Sequence, residues 1–258
     1  AGVALASMIS QFISAFLILR ALLTGKEKYC LRLSEIRFDK RKAVGILQIG
    51  IPSAFQYSLF AFANLFVQSS VNSFDHVLVE GNSAAANADP LVYDMMAAFY
   101  TACSSFIAQN FGARKKKRIL QTYLICLFYS FITSLVLGVG IYLARYPFLY
   151  LFTSDKAVVE AGITRLSIMA LSYSASAFMD ASIAASRGLG KTAVPTFVVV
   201  MGSCVFRIIW IYTIFAYFHT IQSLYILYVF SWGITAIAEN IYFFHVYRHT
   251  LTEKKELC

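Results

Sequence analysis

Long apolar stretches alternate with short segments in which charge collects. Ala1 to Leu23, Ala43 to Phe74, Ser83 to Ala108, Ile119 to Ala144, Ile163 to Ser186, Pro195 to Phe218 and Ile221 to Val246 carry few charges. At a rise of ~1.5 Å per residue, each is long enough to cross a hydrocarbon core of ~30 Å. The pattern predicts an all-α, polytopic membrane protein with seven transmembrane helices. Between the fourth and fifth, Arg145 to Gly162 is too mixed to span and reads as a surface-lying connector, with Ser154 ahead of Asp155 as a helix N-cap. Asp75, Glu80 and Asp89, with no Lys or Arg among them, predict an exterior loop before the third span. Pro90 removes a ladder bond and frees the Ala86 carbonyl, which predicts either a kink there or a helix that starts near Pro90.

Composition agrees with a bilayer as solvent: 59% of the 258 residues are hydrophobic, 16% aromatic and 14% charged. A net charge of +9 would suit nucleic acid, but the bases sit in the gaps between apolar runs, so the partner they imply is the lipid surface. Of the 22 basic residues, only Arg145, Lys156 and Arg165 fall on the side assigned outside, and Arg20 and Arg207 fall within spans. The rest flank the other side, which predicts the N-terminus outside and the C-terminus cytoplasmic. The longest basic segment, residues 24–42, is the expected linker between a first helix (1–23) and a six-helix lobe with a short tail (43–258). The chain opens on Ala1 and runs uncharged to Leu19 without a basic n-region or cleavage site, which argues against a signal peptide and for a piece of a longer protein. Cys30 and Cys258 lie in segments assigned to the cytoplasm, and no two of the five cysteines have metal-ligand spacing. His245 and His249 stand i, i+4 at a basic interface and are read as ring donors there, so no metal is expected.

Polar residues inside the spans carry the candidate chemistry. Asn64, Gln68 and Asn72 share one helix face, which Tyr57 and Ala61 extend. Ser172, Ser176 and Asp180 repeat that spacing on the fifth span, and Asp94, Thr101 and Ser105 lie on the third. Three such faces either surround an aqueous cavity or hydrogen-bond in a dry bundle. Asp94, Asp180, Arg207 and Glu239 each cost about 2.5–3.5 kcal/mol at mid-membrane unless paired or hydrated, which marks them as functional candidates. Counted from Arg187, Asp180 lies ~10 Å into the bilayer, with Glu239 at similar depth and Arg207 at ~18 Å. A meeting of the three, or a static Asp180–Arg207 pair, are the two expectations. An intramembrane enzyme would need a nucleophile with its base or a metal cluster, and no histidine sits mid-membrane.

Three stretches resemble a known family: GIPSAFQYSLFAFANLFVQSSVNSF from Gly50, GNSAAANADPLVYDMMAAFYTACSSFIAQNFGARKKKRI from Gly81, and RGLGKTAVPTFVVVMGSCVFRIIWIY from Arg187. They are similar to the C-terminal half of multidrug and toxic compound extrusion (MATE) transporters, most like those of Firmicutes. Gln109, Asn110 and Gly112 before the basic run, and Arg187, Gly188 and Gly190 in the following turn, occur in the family's order at the ends of spans. The resemblance implies a twelve-helix fold in two lobes, with Ala1 to Leu23 as the last helix of the first lobe and the N-terminal lobe missing. It also implies export of cationic or amphiphilic drugs in exchange for H+ or Na+ by alternating access, with no cofactor. Sodium-coupled members carry a glutamate on the helix matching the second span, where this chain has no acid and Phe60 stands near its place. They also carry an aspartate on the helix matching the fifth span, at Asp180 or Ser176. The alternative is a flippase for lipid-linked precursors or polysaccharide in the same superfamily, which would line its cleft with arginines; among the spans only Arg207 is expected there. The substrate cavity is accordingly expected at Tyr57, Asn64, Gln68, Asn72, Ser172 and Ser176, and the coupling ion at Asp180, Asp94, Glu239 or Arg207.

Overall fold

The computed structural model describes residues 2–24, 31 and 37–249, which are helical almost throughout, with no strand among them. Most of the basic linker, the tail after His249, and both Cys30 and Cys258 lie outside the described residues. Two compact units divide the chain at Ala1–Leu47 and Gln48–Cys258. The first holds α1 (Gly2–Thr24) and the start of α2 (Lys40–Val71). The second holds the rest of α2 and every further element. Seven helical stretches among the described residues are long and apolar enough to cross a membrane, so the protein is a multi-pass membrane protein.

The exterior loop expected around Asp75, Glu80 and Asp89 shrinks to residues 72–75, because the chain re-enters helix at once as α3 (His76–Ala86). Asp75 starts it by accepting the Leu78 amide at 3.0 Å. Glu80 therefore lies on a helix, 3.6 Å from His76 one turn before it. Asn87 then separates α3 from α4 (Ala88–Gly112), its amide donating to the Ser83 and Ala84 carbonyls at 3.1 Å each. Pro90 falls in the first turn of α4, where a helix leaves its amides unpaired, so the proline marks a start and not a kink within a continuous span.

After α5 (Lys116–Leu143) the expected connector is itself helical, as α6 (Arg145–Tyr150) and the first turns of α7 (Lys156–Gly188). Asp155, not Ser154, is the N-cap, its carboxylate accepting the Ala157 amide at 2.8 Å. The sixth stretch, α8 (Ala193–Phe218), is interrupted by two π-helical turns, Val200–Val205 and Ile211–Phe215. Left-handed His219 ends it, and α9 (Ile221–His249) follows.

Lipid tails are as apolar as leucine, so these helices gain little from burying aliphatic surface and associate through close packing and polar bonds. Helix α7 is the centre: 67% of its apolar window is buried, against 22% for the spans containing α4, α5 and α8. Small residues let neighbours approach it. An added Cβ on Gly138 of α5 would stand 2.0 Å from the Ala170 carbonyl oxygen on α7, whereas one on Gly140 meets nothing within 4 Å. At the far end Gly188 lies against the Ser104 carbonyl of α4, and Gly81 of α3 lies against Val158 and Ala161. Polar ties complete the bundle: Tyr123 of α5 bonds Ser182 of α7 at 2.9 Å and donates to Asn240 of α9 at 2.6 Å.

Candidate functional site

A cavity of about 590 Å³ opens inside the second unit. Helix α2 supplies one wall, because Gln56, Phe60, Asn64, Val67 and Val71 recur every three to four residues and so share a face. Tyr57, Ala61 and Gln68 widen that face. Helices α3 and α4 add Asn82, Asp89, Tyr93 and Tyr100, α8 adds Arg207, and α9 adds Tyr225, Tyr228 and Trp232. Helix α7 contributes the charged groups Arg165, Asp180 and Arg187. The volume and the mixture of rings with a few polar groups suit a drug-sized molecule.

Three arginines dominate its chemistry, two more than the sequence led us to expect. Arg165 is the committed one: it pairs with Asp89, donates to Asn82 at 2.8 Å, and Asp89 also accepts from the Tyr173 hydroxyl. Arg187 points into the cavity from the end of α7 and donates to the Gln56 side-chain oxygen at 2.9 Å, which Thr196 also reaches at 3.3 Å. Arg207 is 1% exposed, donates from Nη1 to Asn64 at 2.8 Å, and stacks 4.5 Å from the Tyr228 ring and 5.0 Å from Phe60.

The sequence candidates divide accordingly. Tyr57, Asn64, Gln68, Asp180 and Arg207 line the cavity. Asn72 lies beyond it, where it accepts from the Gln68 amide at 2.9 Å. Ser172 and Ser176 do not line it and bond back to carbonyls of their own helix, at 2.6 and 2.9 Å. Asp94 is exposed and faces away. Glu239 is fully buried behind the wall, with neither oxygen hydrogen-bonded. Neither expected meeting occurs: Arg207 forms no ion pair with Asp180 or Glu239 among the described residues, because its guanidinium turns toward α2. Counting rise along a helix gives depth but not rotation about its axis. The loop motifs behave as turn formers: Asn110 caps the Phe106 carbonyl at 2.8 Å, Gln109 reaches Ser105 at 3.4 Å, Gly112 ends α4, and Gly190 takes φ 77°. Asp89 with Arg165, and the inward Arg187, are the charged site residues that the sequence pattern missed, and the rings of Tyr93, Tyr100, Tyr225, Tyr228 and Trp232 were missed with them. The Asp89–Arg165 pair carried one signal, an acid and a base at facing ends of neighbouring apolar runs.

The MatE family model matches residues 52–213. The chain is 23% identical over 199 residues to the probable multidrug resistance protein NorM of Thermotoga maritima, covering 75% of the chain and 42% of that relative. It is 26% identical over 177 residues to the probable multidrug resistance protein YoeA of Bacillus subtilis, covering 67% of the chain and 38% of the relative. It therefore spans less than half the length of these curated relatives. A solved outward-facing multidrug resistance MATE family transporter of the MOP superfamily superposes with a TM-score of 0.86 at 19% identity, over 98% of this chain and 57% of the other. With a family model matched over more than half its length and a solved fold in common, the chain belongs to the MatE family.

Proposed function

We propose that this chain supplies the C-terminal lobe, preceded by one helix and a basic linker, of a secondary active multidrug efflux transporter. It moves cationic or amphiphilic compounds out of a bacterial cell across the inner membrane, in exchange for H+ or Na+, by alternating access with an N-terminal lobe. The observation that carries the reading is the ring-lined cavity with Asp180 on its wall, a carboxylate free of any ion pair among the described residues. Asp180 is the coupling candidate, with Arg187 seven residues on along the same helix and buried Glu239 as a second acid. The basic segments inside set the orientation, N-terminus of this chain outside and C-terminus cytoplasmic. The flippase alternative gains from the two added arginines, but Arg165 is held by Asp89 and Arg187 by Gln56, so we retain the multidrug reading. The test is dye export from liposomes holding the full-length parent, driven in turn by a pH and a sodium gradient. Export under at least one gradient is expected; none under either would defeat the proposal.

A further inference from the structure

The three cavity arginines face two cavity aspartates, leaving one formal positive charge in excess. Asp89 compensates Arg165, and Arg187 is held by the Gln56 oxygen 2.9 Å away. Arg207 is the remainder. It makes no ion pair among the described residues, and its hydrogen bonds run from Nη1 to Asn64 and, at 3.4 Å, from Nε to Ser231. A guanidinium at membrane depth without a counter-charge is costly, and its planar fork matches a carboxylate, sulfonate or phosphate. The surroundings fit the rest of such a molecule. Phe60 and Tyr228 cover the guanidinium, and Trp232 packs 5.4 Å from Tyr228, giving a ring surface beside the charge. Arg207 is also carried on the short α-helical turn Phe206–Trp210 between two π-helical turns, a distortion that recurs at functional sites.

We propose that Arg207 anchors an acidic group of the transported molecule, so that the cavity takes anionic or zwitterionic aromatic amphiphiles. This rests on the transporter reading above and names the substrate class of that same cavity. Asn64 presents Arg207 to the cavity, and the rings of Phe60, Tyr228 and Trp232 take the apolar body.

The experiment uses the full-length parent in liposomes, loaded with carboxyfluorescein as the anionic aromatic probe or ethidium as the cationic one. Wild type is expected to export carboxyfluorescein, and Arg207→Gln to lower the carboxyfluorescein-to-ethidium export ratio at least tenfold, with partial recovery in Arg207→Lys. Asn64→Asp keeps the arginine but places a carboxylate against it. It should lower the same ratio at least tenfold with an equal or higher melting temperature, which separates loss of anion binding from loss of folding. Liposomes with and without phosphatidylglycerol distinguish a soluble acid from a lipid headgroup: suppression of carboxyfluorescein export by that lipid supports the same anchor occupied by headgroups. Wild-type export of ethidium without carboxyfluorescein, or an unchanged ratio in Arg207→Gln and Asn64→Asp, would overturn the inference while leaving the transporter reading intact. Export of neither dye would overturn the reading itself.

Discussion

Arg187, at the last turn of α7, donates to the side-chain oxygen of Gln56 on α2 across 2.9 Å, and Thr196 of α8 shares that oxygen. One amide thus ties three walls of the cavity together. A carboxylate in its place would turn a neutral acceptor into an ionic one, and charge-assisted bonds are roughly twice as strong. Gln56→Glu should raise the melting temperature of the full-length protein and slow dye export by holding α2 against α7. A lower melting temperature would show that the three side chains do not meet.

Close approach at Gly138 sets up a paired comparison on one helix. An alanine there places Cβ 2.0 Å from the Ala170 carbonyl, so α5 and α7 must separate, and overpacking of this kind costs about 1–3 kcal/mol. Gly140 has open space, and alanine there removes backbone freedom from a helix interior, worth about 0.5–1 kcal/mol in the stabilising direction. Thermal melting should therefore order the proteins Gly140→Ala, wild type, Gly138→Ala, from most to least stable.

Asp89 and Arg165 form a partly buried ion pair, with side chains 27% and 10% exposed. Full burial would make loss of one partner cost about 3–5 kcal/mol, and the residual exposure brings the expected loss for Asp89→Asn to about 1.5–3 kcal/mol. The double variant Asp89→Asn with Arg165→Met should recover part of it. A double-mutant cycle with no coupling between the two positions would contradict the pair.

Cysteines at Asn64 and Gln68 should react with water-soluble thiol reagents and be protected by substrate, because both positions line the cavity. Phe62 and Phe66 are 60% and 42% exposed but do not line the cavity, and cysteines there should stay unmodified. Equal reactivity at all four positions would remove the distinction between cavity and lipid faces.

Asp180→Asn tests coupling without a competing salt bridge to Arg207, since none forms among the described residues. Normal insertion and melting, with loss of the pH- or sodium-gradient dependence of export, is the expected result. A destabilised protein that still exports in a gradient-dependent way would assign Asp180 a packing role.

The spans were legible because a bilayer demands long apolar runs, and every expected run contains a helix. Boundaries were less so. Lys156 and Glu160 made the start of α7 look like a surface connector, although both are exposed and leave the backbone helical. Asn87 broke the third span with an ordinary polar side chain, and the two π turns of α8 left no mark in composition. In the site, the stripe of α2 was readable from its spacing as far as Gln68. Arg187 was not, because a base at the end of a span ordinarily reaches for headgroups, and only the packing of α2 beside α7 turns it inward.

The glycine contacts along α7 have a mechanical meaning. Backbone meets backbone at three heights, with α3 near Val158, with α5 at Ala170 and with α4 at Gly188, and no flexible side chain lies between to act as a bearing. Sliding α7 by a turn past any of these neighbours would drive main-chain atoms into one another. The four helices therefore move as a single keel, to which the Tyr123–Asn240 bond ties α9, and any flexing of this lobe falls to α2 and α8.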